Sequence, residues 1–409
     1  MKRILFYVFL LSSVNLKADL TSNLNNNLDS LMEKVIEWRH DIHEHPELGN
    51  REFRTSKKIE EHLRSLGMQV ETKIAYTGLV GMLEGDLPGP TIALRADMDA
   101  LPIKETSGLE FSSKNIGVSH ACGHDGHMAM LLGAARVLSH NREIYNGTIR
   151  FIFQPAEEGE GGARYMIEDG CLDGVDEIYG IHLWNYQKLG EVGVKDGPVL
   201  AAADMFDIKV KGIGGHGAAP QGTVDTVVVS SHLIQALQTI VSRNTNPLES
   251  TVITVGKING GHNFNIIADE VSLSGTARSY TEENRVLIKQ RMKNIIEGIA
   301  KTYNAEITLD YRDGYPPTIN HIAPTDKVLK ASNRIVGQKA GMPYLSMGGE
   351  DFAYYLQKIP GCFFFVGSAP NENELFETPH HCSHFNMDEE ALLIGPSIYL
   401  NLIDDIMGI

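Results

Sequence analysis

The apolar residues of "LDSLMEKVIEWRHDIHEHPELG" and "TSKKIEEHLRSLG" return every three or four positions, which predicts helical structure from about residue 29 to 66, closed by Gly67. Beyond Gly67 the period changes. "PTIALRAD", "GTIRFIFQP", "DEIYGIHLW" and "GCFFFVGS" are nearly continuous apolar runs, as expected of strands buried on both faces. "MAMLLGAARVLSHN" reads as a helix between the first two. Strands separated by helices predict an α/β fold with a mostly parallel sheet covered on both sides.

Residues 204 to 311 break that rhythm. Their order is strand "DMFDIKVKG", helix "VDTVVVSSHLIQALQTIVS", strands "TVITVGKI" and "EVSLSGTAR", helix "TEENRVLIKQRMKNIIEGIAKTYN" and strand "AEITLDYR". This βαββαβ succession is the ferredoxin-like pattern, and parallel-sheet segments flank it on both sides. It predicts an inserted domain over 197–311, set into an outer α/β domain made of 19–196 and 312–409.

A chain of 409 residues is longer than one hydrophobic core usually serves, which agrees with two domains. Fifty-two acidic against 36 basic residues give a net charge of −16, which disfavours nucleic acid or an anionic membrane as partner and leaves a small molecule as the expected one. Four cysteines without short paired spacing argue against a disulfide framework. The amino terminus joins Lys2 and Arg3 to the apolar run "ILFYVFLLSSV", too short to span a bilayer, with small Ala18 ahead of Asp19. It reads as a signal peptide over 1–18, so a periplasmic or secreted location is expected, with the cytoplasm as alternative and no stable membrane insertion.

"SHACGHDGHMAM" gathers His120, Cys122, His124 and His127 into eight positions. Other polar clusters fall near predicted strand ends, where open α/β sheets bind ligands. Asp97 closes "RAD", Glu157 and Glu158 follow "QPA", His182 closes "GIHLW", and His380, His381, Cys382 and His384 follow the last strand. Cys122 and His124 diverge on a helix but share one side of extended backbone, so they can meet one ion only from the loop. Adjacent Glu157 and Glu158 are expected to point apart, one towards a metal and one free to handle protons. Each residue alone has a plain reading: a helix cap for Asp97, a solvated turn for the glutamates, a small buried side chain for Cys122 or Cys382. Their convergence at several strand ends instead predicts a metal site for zinc or, with more oxygen donors, manganese or another first-row divalent ion.

Taken together, "DIHEHPELG", "ALRADMDALPI", "SHACGHDGHMAMLLGAA", "FQPAEEGEGGARYMIEDG", "GIHLWN", "GGHGAAP", "GTARS" and "GGEDFAYY" resemble the amidohydrolases that include hippurate hydrolase and the plant indoleacetyl-amino-acid hydrolases, within the wider aminoacylase and carboxypeptidase metallopeptidase family. The resemblance runs from about residue 35 to the C-terminus. It implies metal-dependent hydrolysis of the amide of N-acyl or N-aroyl amino acids, by two divalent ions per subunit, manganese or zinc with cobalt or nickel as alternatives. The matching ligands are Cys122, His124, Glu158, His182 and His381, the last chosen because it stands four residues before Phe385; His380 and His384 are the alternatives. Glu157 matches the general base. Arg95 stands where more distant members carry a ligand histidine, so Asp97 is assigned support of the site. His216 matches an oxyanion-stabilising histidine, Asn265 and Arg278 match residues holding the substrate carboxylate, and the insert serves as lid and dimer interface, which implies a homodimer or homotetramer. Ala268 departs from the family's proline in that loop. A dipeptidase or carboxypeptidase, an N-acetyl-diamino-acid deacetylase, and a non-catalytic metal- or carboxylate-binding protein are the rival functions.

Overall fold

The computed structural model describes residues 26–371, 373 and 375–408, so the signal-peptide expectation lies outside the described residues. In chain order the elements that matter are α1 (Met32–His43), α2 (Phe53–Ser65), β1 (Gln69–Ile74), β2 (Gly78–Glu84), β3 (Thr91–Asp97), α3 (His124–Ser139), β4 (Thr148–Gln154), α4 (Gly162–Glu168), β5 (Glu177–Lys188) and β6 (Val192–Gly193). The insert follows with β7 (Ala202–Lys211), β8 (Gly215–His216), α5 (Thr226–Thr239), β9 (Thr251–Gly260), β10 (Ile266–Ile267), β11 (Glu270–Ser279), α6 (Glu282–Tyr303) and β12 (Glu306–Tyr315). The chain closes with α7 (Ile322–Val336), β13 (Ala340–Gly341), β14 (Gly361–Ala369) and α8 (Ala391–Met407).

Among the described residues, the outer unit comprises those up to 197, 320–344 and those from 354 to 408. Its eight strands run in the order β1-β2-β4-β3-β5-β14-β6-β13. The centre is parallel, β4 to β3 to β5 to β14, and antiparallel pairs lie towards both edges. The central strands are buried along their length because helices cover the sheet: every residue of β14 is buried, and α3 is buried almost throughout. Gly126 in the first turn of α3 explains how close helix and sheet come, since a Cβ there would stand 2.5 Å from a Leu183 methyl of β5. Strand β5 differs from its sequence reading. It continues past "GIHLW" to Lys188, because β14 pairs with it as far as Ala369↔Lys188, whereas β3 leaves it at Arg95↔Gly180. His182 therefore lies just beyond the place where β5 stops pairing with β3.

The second unit comprises residues 198–319 and 345–353. Its antiparallel sheet has the order β9-β11-β7-β12, which is the ferredoxin-like arrangement, and α5 and α6 pack on it through Leu233, Leu237, Ile288 and Met292. Both helices start at side-chain caps: Asp225 accepts from the N–H groups of Val227 and Val228, and Thr281 from that of Asn284. Two boundaries move from the sequence reading. Strand β12 runs through Tyr315, past the expected end at 311, and residues 345–353, with "GGEDF", group with the insert rather than with the outer domain.

Candidate metal centre

The site in the outer unit starts from turns that the backbone alone specifies. Gly123, at φ +94° between Cys122 and His124, takes a conformation that side-chain-bearing residues avoid, and α3 begins immediately after it. His124 is thus the first helical residue and Cys122 remains in the loop. The Cys122 sulfur lies 3.5 Å from His182 Nε2. One donor atom each of Cys122, His124 and His182 lie within 4.8 Å of one another, and so do those of Cys122, Glu158 and His381. Cys122 belongs to both groups.

The orientation of each imidazole can be read from its partners. His124 places Nδ1 2.8 Å from the Asp99 carbonyl oxygen and His182 places Nδ1 2.6 Å from that of Leu183, so each holds a proton there and turns Nε2 to the cluster. His124 Nε2 is buried without a hydrogen-bond partner in the protein, and buried Glu158 Oε1 has only the ion-pair contact to His381 Nε2. Buried polar atoms left open in this way, on a thiol, imidazoles and carboxylates that converge, are the donor set a divalent cation requires. The electrostatics agree. Burial opposes charge on His124, yet Asp97, Asp99 and Glu158 raise its pKa to about 10; burial and the charges of Glu158, Glu157 and Asp97 push the Cys122 thiol up. Excess negative charge of this kind is what a cation neutralises.

The opening cluster of four metal-seeking residues divides. His127 uses both nitrogens elsewhere, Nδ1 at 2.7 Å from Asp97 Oδ1 and Nε2 accepting the Leu183 N–H at 2.9 Å. It braces β5 against β3, and the donor group it forms is with Asp97 and His124, without Cys122. His120 is buried with neither nitrogen hydrogen-bonded and belongs to none of the donor groups. Among the C-terminal histidines the structure separates the three alternatives. His381 Nε2 stands 3.1 Å from Glu158 Oε1, on a backbone held at φ +65°. His380 accepts the Asn185 N–H at 3.1 Å and stacks on Trp184, and His384 Nε2 pairs with the Glu377 carbonyl at 2.9 Å. Cys382 takes no part in the donor groups, and all four cysteines are free thiols.

Glu157 and Glu158 do not diverge as expected from adjacency. A carboxylate oxygen of each lies within 4.8 Å of a His124 nitrogen. The reason is the turn before them, where Ala156 adopts φ +54°, and a clamp the sequence reading missed: Asp99 accepts both their backbone N–H groups. Behind the cluster Arg95 donates to Asp97 Oδ2 at 2.6 Å and to Gln154 Oε1 at 2.9 Å, all three buried. A second missed group lies deeper: Arg39 and His43 both bind Asp125 Oδ2, at 3.0 and 2.9 Å, beside His124. The sequence signal for Asp99 and His43 was the motif in which each sits, "RADMDALP" and "DIHEHPELG"; Arg39 stands two residues ahead of the latter.

The remaining expected residues lie in the second unit. His216 is exposed on β8, which pairs with β10, and its Nδ1 accepts the Ala218 N–H at 3.0 Å. Asn265 is joined to the same ribbon, its carbonyl accepting the Gly217 N–H at 2.9 Å. Arg278, on β11, donates Nε–H to the Thr276 hydroxyl at 3.1 Å, and burial, partly offset by Asp204, lowers its pKa.

An α/β domain with a ferredoxin-like insert carries the cluster of metal-ligating side chains beyond its central strands, and the family and relatives that match this chain make it a hydrolase acting on amide bonds. The chain belongs to peptidase family M20/M25/M40, whose sequence pattern matches residues 93–405. It is similar to N-acetyl-L-cysteine deacetylase of Bacillus subtilis (strain 168), 43% identical over 367 residues that cover 90% of this chain and 86% of the relative. It is 40% identical over 378 residues to IAA-amino acid hydrolase ILR1-like 4 of Arabidopsis thaliana, covering 90% of this chain and 84% of the relative. The crystal structure of Bacillus subtilis YXEP, described as a dinuclear metal binding peptidase from the M20 family, superposes with a TM-score of 0.81 at 34% identity, over 93% of this chain and 99% of that one.

Proposed function

We propose that this protein hydrolyses the amide bond of N-acyl or N-aroyl amino acids, releasing a carboxylic acid and the free amino acid. The observation that carries the reading is the membership of Cys122 in two donor groups at once, one with His124 and His182 and one with Glu158 and His381. Two divalent cations held by these five side chains, with Cys122 shared, would polarise the amide carbonyl and acidify a water molecule. Manganese or zinc suits the donors, with cobalt or nickel as alternatives.

The residues of the chain supply the rest. Glu157, buried and outside the two groups that contain Cys122, takes the proton from water and returns it to the departing amine. Asp97, pinned between Arg95 and His127, supports the site without joining either group. His216 donates to the oxygen on which negative charge develops, and Asn265 and Arg278 hold the substrate's carboxylate. The low-polarity setting of Arg278 favours that role, since an anion beside it would relieve the cost of its burial.

The insert serves as lid and as the interface of a homodimer or homotetramer; β9 is an edge strand of its sheet and exposes Val252 and Ile258. Export through the N-terminal segment is proposed from its sequence pattern, and among the described residues no helix is long and apolar enough to cross a membrane. The deciding experiment is Glu157→Gln assayed on hippurate and acetyl conjugates together with metal analysis. Retained metal with a roughly 10² to 10⁴-fold slower rate is expected, and near-wild-type turnover removes the general-base role.

A further inference from the structure

Residues 102–118 run without helix or strand between the bridged positions Leu101 and Ser119. A connection of that length without regular structure is uncommon in a compact unit unless it has a task of its own. One carboxylate organises it. Glu105 Oε2 accepts the Ser113 N–H at 2.7 Å, Oε1 accepts the Ser107 hydroxyl, and the same Oε1 stands 3.3 Å from His43 Nε2. The segment is thereby closed on itself and fastened to α1. Its far half is fixed to the same helix and the residue after it: Phe111 stacks on His40 at 3.6 Å between centroids, and the Lys114 N–H donates to the Glu44 carbonyl at 2.8 Å.

Thr106, next to that anchor, reaches a different part of the outer unit. Its N–H donates to the Ser383 carbonyl at 2.6 Å and its hydroxyl to the Ser383 hydroxyl at 2.9 Å. Ser383 follows His381 by two residues, and the His381 N–H donates at 2.7 Å to the carbonyl of Ala121, directly ahead of Cys122. The loop that carries His381 is therefore attached on one side to the Cys122 loop and on the other to residue 106.

The second attachment matters because His381 differs from the other ligand-type side chains. It is 52% exposed, while Cys122, His124 and His182 are buried. His124 and His182 are each aimed by a carbonyl oxygen at Nδ1, and among the described residues no hydrogen bond does this for His381. Its aim depends on its backbone, held at φ +65°, a conformation that costs a side-chain-bearing residue free energy and persists only where neighbours enforce it.

We infer that Glu105 and Thr106 are positioning residues for the second cation, holding His381 in register with Cys122 and Glu158, while the group of Cys122, His124 and His182 stands without them. The inference rests on the two-cation reading above.

The test titrates metal-free wild type, Glu105→Ala, Thr106→Val and Thr106→Ser with Mn²⁺ in equilibrium dialysis, and follows carbethoxylation of His381 by peptide mass spectrometry at each concentration. The exposed imidazole is open to the reagent until a cation takes it, so its protection reports the second site directly. Wild type is expected to bind two ions. In Glu105→Ala the first ion is held within about twofold of wild type, whereas the second, and the protection of His381, need roughly 10 to 100-fold more Mn²⁺. Thr106→Val keeps the backbone bond and loses the hydroxyl one, so it needs roughly 3 to 10-fold more, and Thr106→Ser restores the wild-type value. Circular dichroism verifies folding, and Glu105→Gln, which keeps an acceptor for the Ser113 N–H, replaces the alanine variant if that one does not fold. A second affinity and a protection midpoint within twofold of wild type in the Glu105 and Thr106→Val variants overturn the positioning role. Equal weakening of both ions overturns it too, and assigns the effect to His43 and Asp125 beneath α3. Wild type that binds a single ion, or leaves His381 unprotected, overturns the two-cation reading and the inference with it.

Discussion

Asp99 holds Glu157 by its backbone, accepting the Glu157 N–H at 3.0 Å through Oδ1 while Oδ2 accepts that of Glu158 at 2.9 Å. Glu52 takes the N–H before them, that of Ala156, at 2.9 Å. Three consecutive backbone donors are thus bound by two buried carboxylates, which stabilises the positive φ of Ala156 and aims both glutamates at His124. The loop carrying the proposed base is thus placed by contacts within the protein.

Replacing Asp99 with Asn turns an amide NH₂ towards one of the two N–H groups and leaves that donor unpaired. A loss of roughly 10 to 100-fold in metal affinity or hydrolysis is expected, as for other groups that orient ligands from behind. Metal titration alongside the hydrolysis rate measures it; values within twofold of wild type would show that the clamp does not position the site.

Glu52 makes the same loop sensitive to pH. Burial raises its pKa from 4.5 to about 7, with the hydrogen bonds from Thr77 and Ala156 opposing. A carboxyl whose folded pKa is raised contributes its stability below the unfolded value, and that contribution is lost as pH climbs through the folded one. Glu52→Gln, which keeps an acceptor for Ala156, should therefore match wild type near pH 4.5 and exceed it above pH 7, by at most about 3 kcal/mol. Thermal unfolding at pH 5 and pH 8 decides the matter, and a difference that does not grow with pH contradicts the assignment.

The sequence made some of this visible and hid the rest for physical reasons. The ferredoxin-like order was legible because its strands alternate and its helices are long. The choice of Cys122, His124, Glu158, His182 and His381 came from the family resemblance, whereas the gathering of polar residues from several strand ends could be anticipated because parallel strands deliver their C-terminal ends to one edge. Asp99 and Glu52 could not, since their partners are backbone N–H groups 58 and 104 positions away, and a backbone donor leaves no mark in the residue type. His127 was ambiguous for a related reason: only the structure shows its Nε2 taken by the Leu183 N–H. The strand expected to end at 311 continues because β12 carries on through an irregularity between Arg312 and Tyr315, where Asp313-Gly314 reads in the sequence as a turn.

Under the N-terminus of α3, Arg39 and His43 share the ionised carboxylate of Asp125, and His43 also faces Glu105 Oε1 at 3.3 Å. Burial opposes charge on His43, but Asp125 and Glu105 raise its pKa to about 9. Its contribution is complete below pH 6.5 and disappears as pH rises through 9. Arg39→Met removes one partner of a buried pair and is expected to cost about 3–5 kcal/mol, read by denaturant unfolding. A cost under 1 kcal/mol would show that the network is dispensable to the helix that starts at His124.

The shared position of Cys122 yields the sharpest test of the two-cation arrangement. Its thiol is held protonated in the metal-free protein by burial and by the charges of Glu158, Glu157 and Asp97, so binding must release a proton and apparent affinity must rise with pH. Serine keeps the size but not the acidity or softness of the thiol, and a hydroxyl is a poor bridge between cations. Cys122→Ser is therefore expected to lower bound metal from two ions per subunit to one or fewer after equilibrium dialysis, whereas Cys122→Asp, whose two oxygens can each face one cation, retains two. Cobalt-loaded protein supplies a second readout, because the thiolate-to-metal absorption of wild type should vanish in both variants. Full occupancy with serine would mean that the groups formed with His182 and with His381 do not meet at this sulfur, and the proposed mechanism would need a different bridge.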